Sequence, residues 1–303
     1  MRTFLDLPKR GKHQWWRYIL SIALVLFFWL ILGSVPFLGV ALWMAVDNNP
    51  ATGINPEDGT LTGFDPILTD YLLPNLAFPL FLLGLFLAVR LVHKRRLQTL
   101  ITPQARVSLG RILQGFSLWL ALAGVMALVE YLMYPGAFTW VGVAPGRYLG
   151  FMVLALGLTT LQASTEELFF RGYLLQGMGH WMRRPLPLAA LNGVLFMLPH
   201  VLNPEVQRGG LLMLVLYWGI GAFFAWITLQ DEGLELALGA HAANNLFVAL
   251  FVNFESSALQ TPALIQSNRF DPLFNLVTLV IMVGVFQLIV FRRTRPRSEK
   301  RPR

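Results

Sequence analysis

Residues 148–178 read YLGFMVLALGLTTLQASTEELFFRGYLLQGM, an apolar run that contains two adjacent carboxylates. A membrane-spanning helix needs roughly 20 apolar residues, and this stretch is longer than that. A charge in the middle of a bilayer costs at least ~2.5–3.5 kcal/mol, so Glu166 and Glu167 need partners there. The stretch therefore predicts a spanning helix that carries a functional site inside the membrane.

The rest of the chain has the composition of a polytopic membrane protein. Of its 303 residues, 55% are hydrophobic and 13% are charged, whereas a soluble domain carries about 25% charged residues. Eight apolar segments follow one another, at residues 18–46, 66–90, 112–133, 148–178, 185–203, 210–230, 234–254 and 273–291. We therefore predict an all-α fold, a single membrane-embedded helical bundle over residues 1–303 with about eight transmembrane helices.

Basic residues alternate between successive connections, as the positive-inside rule describes. They cluster in the N-terminal tail, around residues 90–111, at Arg183 and Arg184, and in the tail RRTRPRSEKRPR, whereas the other connections carry only Arg147, Arg208 and Arg269. This pattern predicts that both termini are cytoplasmic, with the acidic connection QDEGLE at 230–235 as the exception. It is typical of a multi-pass protein of a bacterial plasma membrane.

The location of the positive charges, and not their sum, indicates which partners the protein has. The basic tail is expected either to contact anionic lipid headgroups or to act as a solvated topology anchor. The net charge of +8 is no evidence of nucleic-acid binding, and we predict no nucleic-acid partner.

Arg171 lies four residues after Glu167, so these two side chains share a helix face. Glu166 is about 100° around the helix. Arg171 should therefore neutralise Glu167 and leave Glu166 as the freer carboxylate, the division of roles that suits one structural and one catalytic group. The alternative is that both glutamates only bond neighbouring helices.

Two histidines lie in later apolar segments. His200 ends the sequence FMLPH and His241 begins HAANN, in which Asn245 lies on the face of His241. A turn near residues 183–184 would place Glu167 and His200 at the same depth, roughly 25 Å from that turn. We expect these side chains to converge in the cytoplasmic half of the bilayer, while Phe196, four residues before His200, is expected to pack.

Carboxylates, histidines, an asparagine and an arginine inside a membrane indicate hydrolysis. A glutamate can take a proton from water, and a histidine–asparagine pair can donate hydrogen bonds to an oxyanion. Glu166, His200 and His241 could instead hold zinc, and the residue types leave both mechanisms open. The chain has no cysteine, no HExxH motif, no G-x-G-D motif and no G-x-S-x-G serine motif.

The residues carry a family resemblance. Glu166-Glu167-x-x-x-Arg171, Phe196-x-x-x-His200 and His241-x-x-x-Asn245, in that order, resemble the CPBP family of CAAX proteases and bacteriocin-processing or immunity (Abi) proteins. The resemblance covers residues 150–250, which would form the catalytic core of an intramembrane endopeptidase.

By this resemblance, each motif residue is expected to have a specific role. Glu166 would activate water with the help of His200, His241 and Asn245 would stabilise the oxyanion, and Glu167 and Arg171 would orient the site. The family is described both as metalloproteases and as glutamate-dependent proteases, so zinc stays open as a cofactor. The expected partners are membrane lipids and a membrane-bound protein or peptide, with prenylated C-a-a-X proteins as the substrates of eukaryotic relatives.

Two other functions use the same residues. A non-enzymatic bacteriocin-immunity or scaffold protein of the same fold would keep the charged cluster for stability. A transporter or proton relay would also place Glu and His inside the membrane. Transporters often contain inverted repeats with broken helices. Pro74 and Pro79 break the second segment, but no other segment has a matching pair.

Overall fold

The computed structural model describes residues 3–55, 61–254 and 257–292. Most of these residues are helical, in eight consecutive segments that correspond to the predicted ones. They are α1 (Trp15–Met44), α2 (Ile67–Val92), α3 (Leu109–Met133), α4 (Pro145–Met178), α5 (Pro185–His200), α6 (Pro204–Asp231), α7 (Glu235–Leu250) and α8 (Pro272–Phe291).

Six of these helices, α1 to α4, α6 and α8, are long and apolar enough to cross a membrane. The chain is therefore a multi-pass membrane protein. Of the roughly eight spanning helices that the sequence predicts, these six have the required length, whereas α5 and α7 are shorter. Their predicted segments, 185–203 and 234–254, extended too far: the backbone becomes extended at Asn203 before Pro204, and residues 252–254 form a strand.

The structure also contains short β-strands, which the predicted all-α fold did not include. The strands β1 (Gly53–Ile54) and β2 (Leu61–Thr62) form an antiparallel pair. The strands β3 (Phe138–Trp140), β4 (Val252–Phe254) and β5 (Ile265–Ser267) form a sheet in the order β3-β5-β4, with β5 antiparallel to β3 and parallel to β4. We call this side of the bundle the sheet end. Strands of two or three residues show no usable alternation, which is why the sequence did not reveal them.

The opposite side, here the basic end, is closed by the N-terminal segment. A 3-10 helix, Phe4–Arg10, buries Phe4 completely. The Phe4 backbone N–H donates to Glu232 Oε2 at 2.5 Å, and the Lys12 N–H donates to the His93 carbonyl at 2.7 Å. Helix α8 also leads back to this end, since Gln287 donates to Gln230 near the last turn of α6.

Polar side chains also form hydrogen bonds and ion pairs with one another at the basic end. Arg111 forms an ion pair with Asp231, and Arg95 donates to Gln176 Oε1 at 2.9 Å. Burial lowers the pKa of His93 to about 4, so this imidazole is neutral at pH 7. The connections predicted to be cytoplasmic thus share one end of the bundle, while the tail beyond Arg292 lies outside the described residues.

Helices α3 and α7 approach closely because glycines face each other's backbone. A Cβ atom added at Gly115 of α3 would collide with the Leu236 carbonyl of α7, and one at Gly239 of α7 would collide with the Ile112 carbonyl. Small residues allow such backbone contact between membrane helices. This contact fixes α7, which carries His241, against α3.

We expect Gly115→Ala to destabilise the fold by about 1–3 kcal/mol, because the backbone must shift to admit a methyl group. Gly124→Ala on the same helix is the matched control, since nothing lies within 4 Å of a Cβ at that position. Alanine is a better helix former than glycine by up to about 1 kcal/mol, so the control should be neutral or stabilising. Thermal unfolding in detergent checks this, and equal melting temperatures for the two variants would contradict the close contact.

Candidate active site

A buried ion pair lies at the centre of the bundle. Arg171 Nη1 donates to Glu167 Oε1 at 2.5 Å, and both side chains are fully buried. Arg171 Nη2 also donates to the Gly221 carbonyl of α6 at 2.9 Å. The guanidinium carbon lies 4.4 Å from the centroid of the Phe196 ring and 5.4 Å from that of Phe224, within the range of cation–π contacts.

The same carboxylate fixes the orientation of His241. His241 Nδ1 lies 2.8 Å from Glu167 Oε1, the oxygen that also accepts from Arg171. Since the arginine requires an ionised carboxylate, Nδ1 is the donor in this contact. The other ring nitrogen, Nε2, is directed to Glu166 and lies 3.7 Å from its Oε2. The imidazole ring is stacked on Phe224.

Glu166 differs from its neighbour in its contacts. Its carboxylate lines a cavity, accepts a long 3.5 Å hydrogen bond from Gln162, and has no arginine partner among the described residues. The predicted pairing of Arg171 with Glu167 is thus present in the structure, and Glu166 is the carboxylate that faces open space. The α-helical part of α4 ends at Phe169, and a π-helical turn follows over Phe170–Leu175. Such turns are frequent at functional sites.

His200 reaches the cavity from the last turn of α5. Its Nδ1 lies 2.8 Å from the Phe196 carbonyl oxygen. A carbonyl can only accept, so Nδ1 donates and Nε2 keeps its lone pair in the neutral ring. The imidazole is stacked on Tyr217 with 4.2 Å between ring centroids. Phe196 itself is buried against Arg171 and His241, as expected of a packing residue.

Asn245 lines the same cavity from α7, one turn after His241. Its Oδ1 accepts a 3.1 Å hydrogen bond from Asn244 Nδ2, and Asn244 Oδ1 in turn accepts from the indole N–H of Trp119 at 3.1 Å. Because Asn245 Oδ1 faces Asn244 in this series of hydrogen bonds, the NH₂ group of Asn245 is directed away from Asn244. The amide can therefore act as a donor to a bound group.

The cavity has a volume of about 390 Å³, a size typical of binding sites. Glu166, His200, His241 and Asn245 all line it, whereas Glu167 and Arg171 lie behind them in the protein interior. From this cluster the cavity extends along α3, α6 and α8 to β4 and Ala258 at the sheet end. The cavity therefore leads away from the basic end.

A second polar cluster, which was not predicted from the sequence, contains Asn203, Glu205 and Tyr217. Glu205 is buried and accepts from the Tyr217 hydroxyl and from Asn203 Nδ2 at 3.2 Å. Its other oxygen accepts from the Ala258 backbone N–H at 2.9 Å. The cluster therefore supports the ring under His200 and holds the segment at the mouth of the cavity. In the sequence, Glu205 lies in the connection between the predicted segments 185–203 and 210–230, where an acid is usually solvated.

The residues do not fit a metal centre in this arrangement. In the part of the chain that the structure describes, no group of three or more His, Cys, Asp or Glu side chains could hold a metal ion. The suggested ligands Glu166, His200 and His241 share the cavity without forming such a group.

Two comparisons found known proteins with similar sequences. The family model described as type II CAAX prenyl endopeptidase Rce1-like matches residues 148–247, which include all six predicted site residues. The uncharacterized protein YyaK of Bacillus subtilis (strain 168) is 31% identical over 290 residues, which cover 94% of this chain and 95% of that protein. No solved structure gives a significant match.

We expect Glu167→Gln to destabilise the fold by roughly 3–5 kcal/mol, because it leaves the buried Arg171 charge unpaired. Glu166→Gln is the matched control, an isosteric change at the adjacent residue that removes no arginine partner. It should change stability much less. Thermal unfolding of both variants in the same detergent measures the difference, and equal losses would contradict the separate roles of the two carboxylates.

Proposed function

Because the chain belongs to the family of Rce1-like CAAX endopeptidases, we propose that it is an intramembrane endopeptidase acting on membrane-associated proteins or peptides. The observation that carries the proposal is the unequal environment of the two glutamates. Glu167 is neutralised by Arg171, while Glu166 faces a cavity that also contains His200, His241 and Asn245. A carboxylate that has no arginine partner and faces a cavity is available for proton transfer.

In the proposed reaction, Glu166 takes a proton from a water molecule as that water attacks the carbonyl carbon of the scissile bond. His200 assists through Nε2, since its Nδ1 is held by the Phe196 carbonyl. The proton then passes to the leaving amine, and Glu166 regains its ionised form. Glu167 and Arg171 remain behind the reacting groups and act as positioning residues.

Oxyanion stabilisation is assigned to His241 and Asn245. His241 donates its Nδ1 proton to Glu167, so it can donate a second hydrogen bond only as an imidazolium, through Nε2. The Asn245 NH₂ group supplies the other donor. Removal of one such donor typically costs about 10²–10³ in kcat.

The substrate is proposed to be a peptide segment that reaches the membrane through its own anchor, including prenylated C-a-a-X chains. The cavity walls are mainly apolar, with Met126, Leu216 and Phe274 among them. Such walls suit an apolar or lipid-modified segment. We place the protein in a bacterial plasma membrane, in keeping with the organism of the relative that covers nearly the whole chain.

We expect purified wild type in detergent to cleave a quenched-fluorescent prenylated C-a-a-X peptide, and Glu166→Gln to lose at least about 10²-fold in kcat, because general base catalysis contributes that much. Asn245→Ala should lose about 10²–10³ in kcat with little change in KM, since an oxyanion donor acts mainly in the transition state. The initial rate of fluorescence increase gives both constants.

Equal melting temperatures of the variants and wild type are the control for folding. A parallel series with a zinc chelator tests the metal-dependent mechanism directly. A Glu166→Gln protein as active as wild type would contradict the proposed base. Absence of cleavage by wild type, with lipidated and unlipidated peptides alike, would favour a non-enzymatic member of the family.

A further inference from the structure

The cavity has its catalytic residues at one end and its mouth at the other. His241 lies six residues after the start of α7, roughly 9 Å from the basic end of that helix, and nine residues before Leu250, roughly 14 Å from its other end. The walls continue from His241 past Asn245 and Val248 to β4. At the sheet end they include Ala258, which is exposed.

No residue of the basic end lines the cavity among the described residues. Between the catalytic cluster and that end, every residue of Glu235–Ala240 in α7 is buried, and hydrogen-bonded side chains close the same end beside α4. His93 bonds to the Tyr173 hydroxyl at 2.8 Å, and Arg95 to Gln176 at 2.9 Å, all four side chains being buried. A substrate therefore has a path from the sheet end and meets a closed layer on the other side.

The charge distribution assigns these two ends to the two faces of the membrane. The described Lys and Arg residues of the basic end are Lys9, Arg10, Lys12, Arg17, Arg90, Lys94, Arg95, Arg96, Arg106, Arg111, Arg183, Arg184 and Arg292, and those of the sheet end are Arg147, Arg208 and Arg269. Such an excess of Lys and Arg marks the cytoplasmic side of a membrane protein. The mouth of the cavity then lies on the non-cytoplasmic side.

We propose that this site takes peptide segments of exported, membrane-anchored proteins, which enter from the non-cytoplasmic face. The inference rests on the proposed function and narrows its substrate class. An extended chain rises about 3.3 Å per residue, so about four residues span the distance from the Leu250 level to His241. The substrate must therefore present a short unfolded apolar segment next to its anchor.

Single cysteines test the access face, because the chain has no cysteine of its own. Ala258→Cys places a thiol at the mouth, and Arg184→Cys places one on the exposed surface of the basic end. In intact bacterial spheroplasts, a membrane-impermeant maleimide should label Ala258→Cys and should reach Arg184→Cys only after permeabilisation. The opposite labelling pattern would overturn the inference and leave the proposed function intact.

The route to the site is tested with the same variants, purified in detergent, where both faces are accessible. A bulky maleimide on Ala258→Cys should reduce cleavage of quenched apolar peptides, with and without a prenylated cysteine, at least about tenfold. The same label on Arg184→Cys should not reduce it. Full activity after labelling at Ala258→Cys would overturn entry at the sheet end.

The proposed function is judged separately, by the unlabelled proteins. Each labelled variant is compared with its own unlabelled form, and the Ala258→Cys side chain leaves the backbone bond to Glu205 in place. If wild type cleaves none of the peptides, the proposed function fails and the inference fails with it, whatever the labelling pattern.

Discussion

The hydrogen-bonded ion pair between Glu167 and Arg171 is the interaction on which the rest of the site depends. A charge inside an apolar bundle is tolerated only when it is paired and hydrogen-bonded. Arg171 therefore reaches the Gly221 carbonyl of α6, and Glu167 accepts from His241 of α7. Because one pair of charges draws its remaining partners from two other helices, the requirement to satisfy it also sets the relative positions of α4, α6 and α7.

This interaction explains why adjacent glutamates can have different chemistry. Neighbouring residues on a helix point about 100° apart, so only one of them can face the arginine. Glu166 is left on the cavity side, next to Nε2 of His241. The close backbone approach of α3 and α7 at Gly115 and Gly239 then keeps His241 at a fixed distance from the glutamates. Helix packing and charge pairing thus both fix the position of the His241 side chain.

The two ends of the bundle are built differently, and the difference bears on how a substrate arrives. The basic end is filled by the buried Phe4–Arg10 helix and by paired polar side chains. The sheet end is made of short strands and the segment held by Glu205, around a cavity that continues inward to Glu166. If the proposed peptidase site is reached from one side only, it discriminates substrates by the membrane face on which they are displayed, in addition to their sequence.

Periodicity and composition were sufficient to predict the helical membrane bundle, and the spacing of Glu166, Glu167 and Arg171 was sufficient to predict which glutamate is paired, because both depend on local helix geometry. The sequence also indicated that His200, His241 and Asn245 belong with them. It could not reveal the short strands, the buried role of Glu205 and Tyr217, or the direction of the cavity. Those features arise from contacts between residues distant in the chain, such as Glu205 with Ala258 and β3 with β5. Local pattern carries no information on such contacts, so only the tertiary structure decided them.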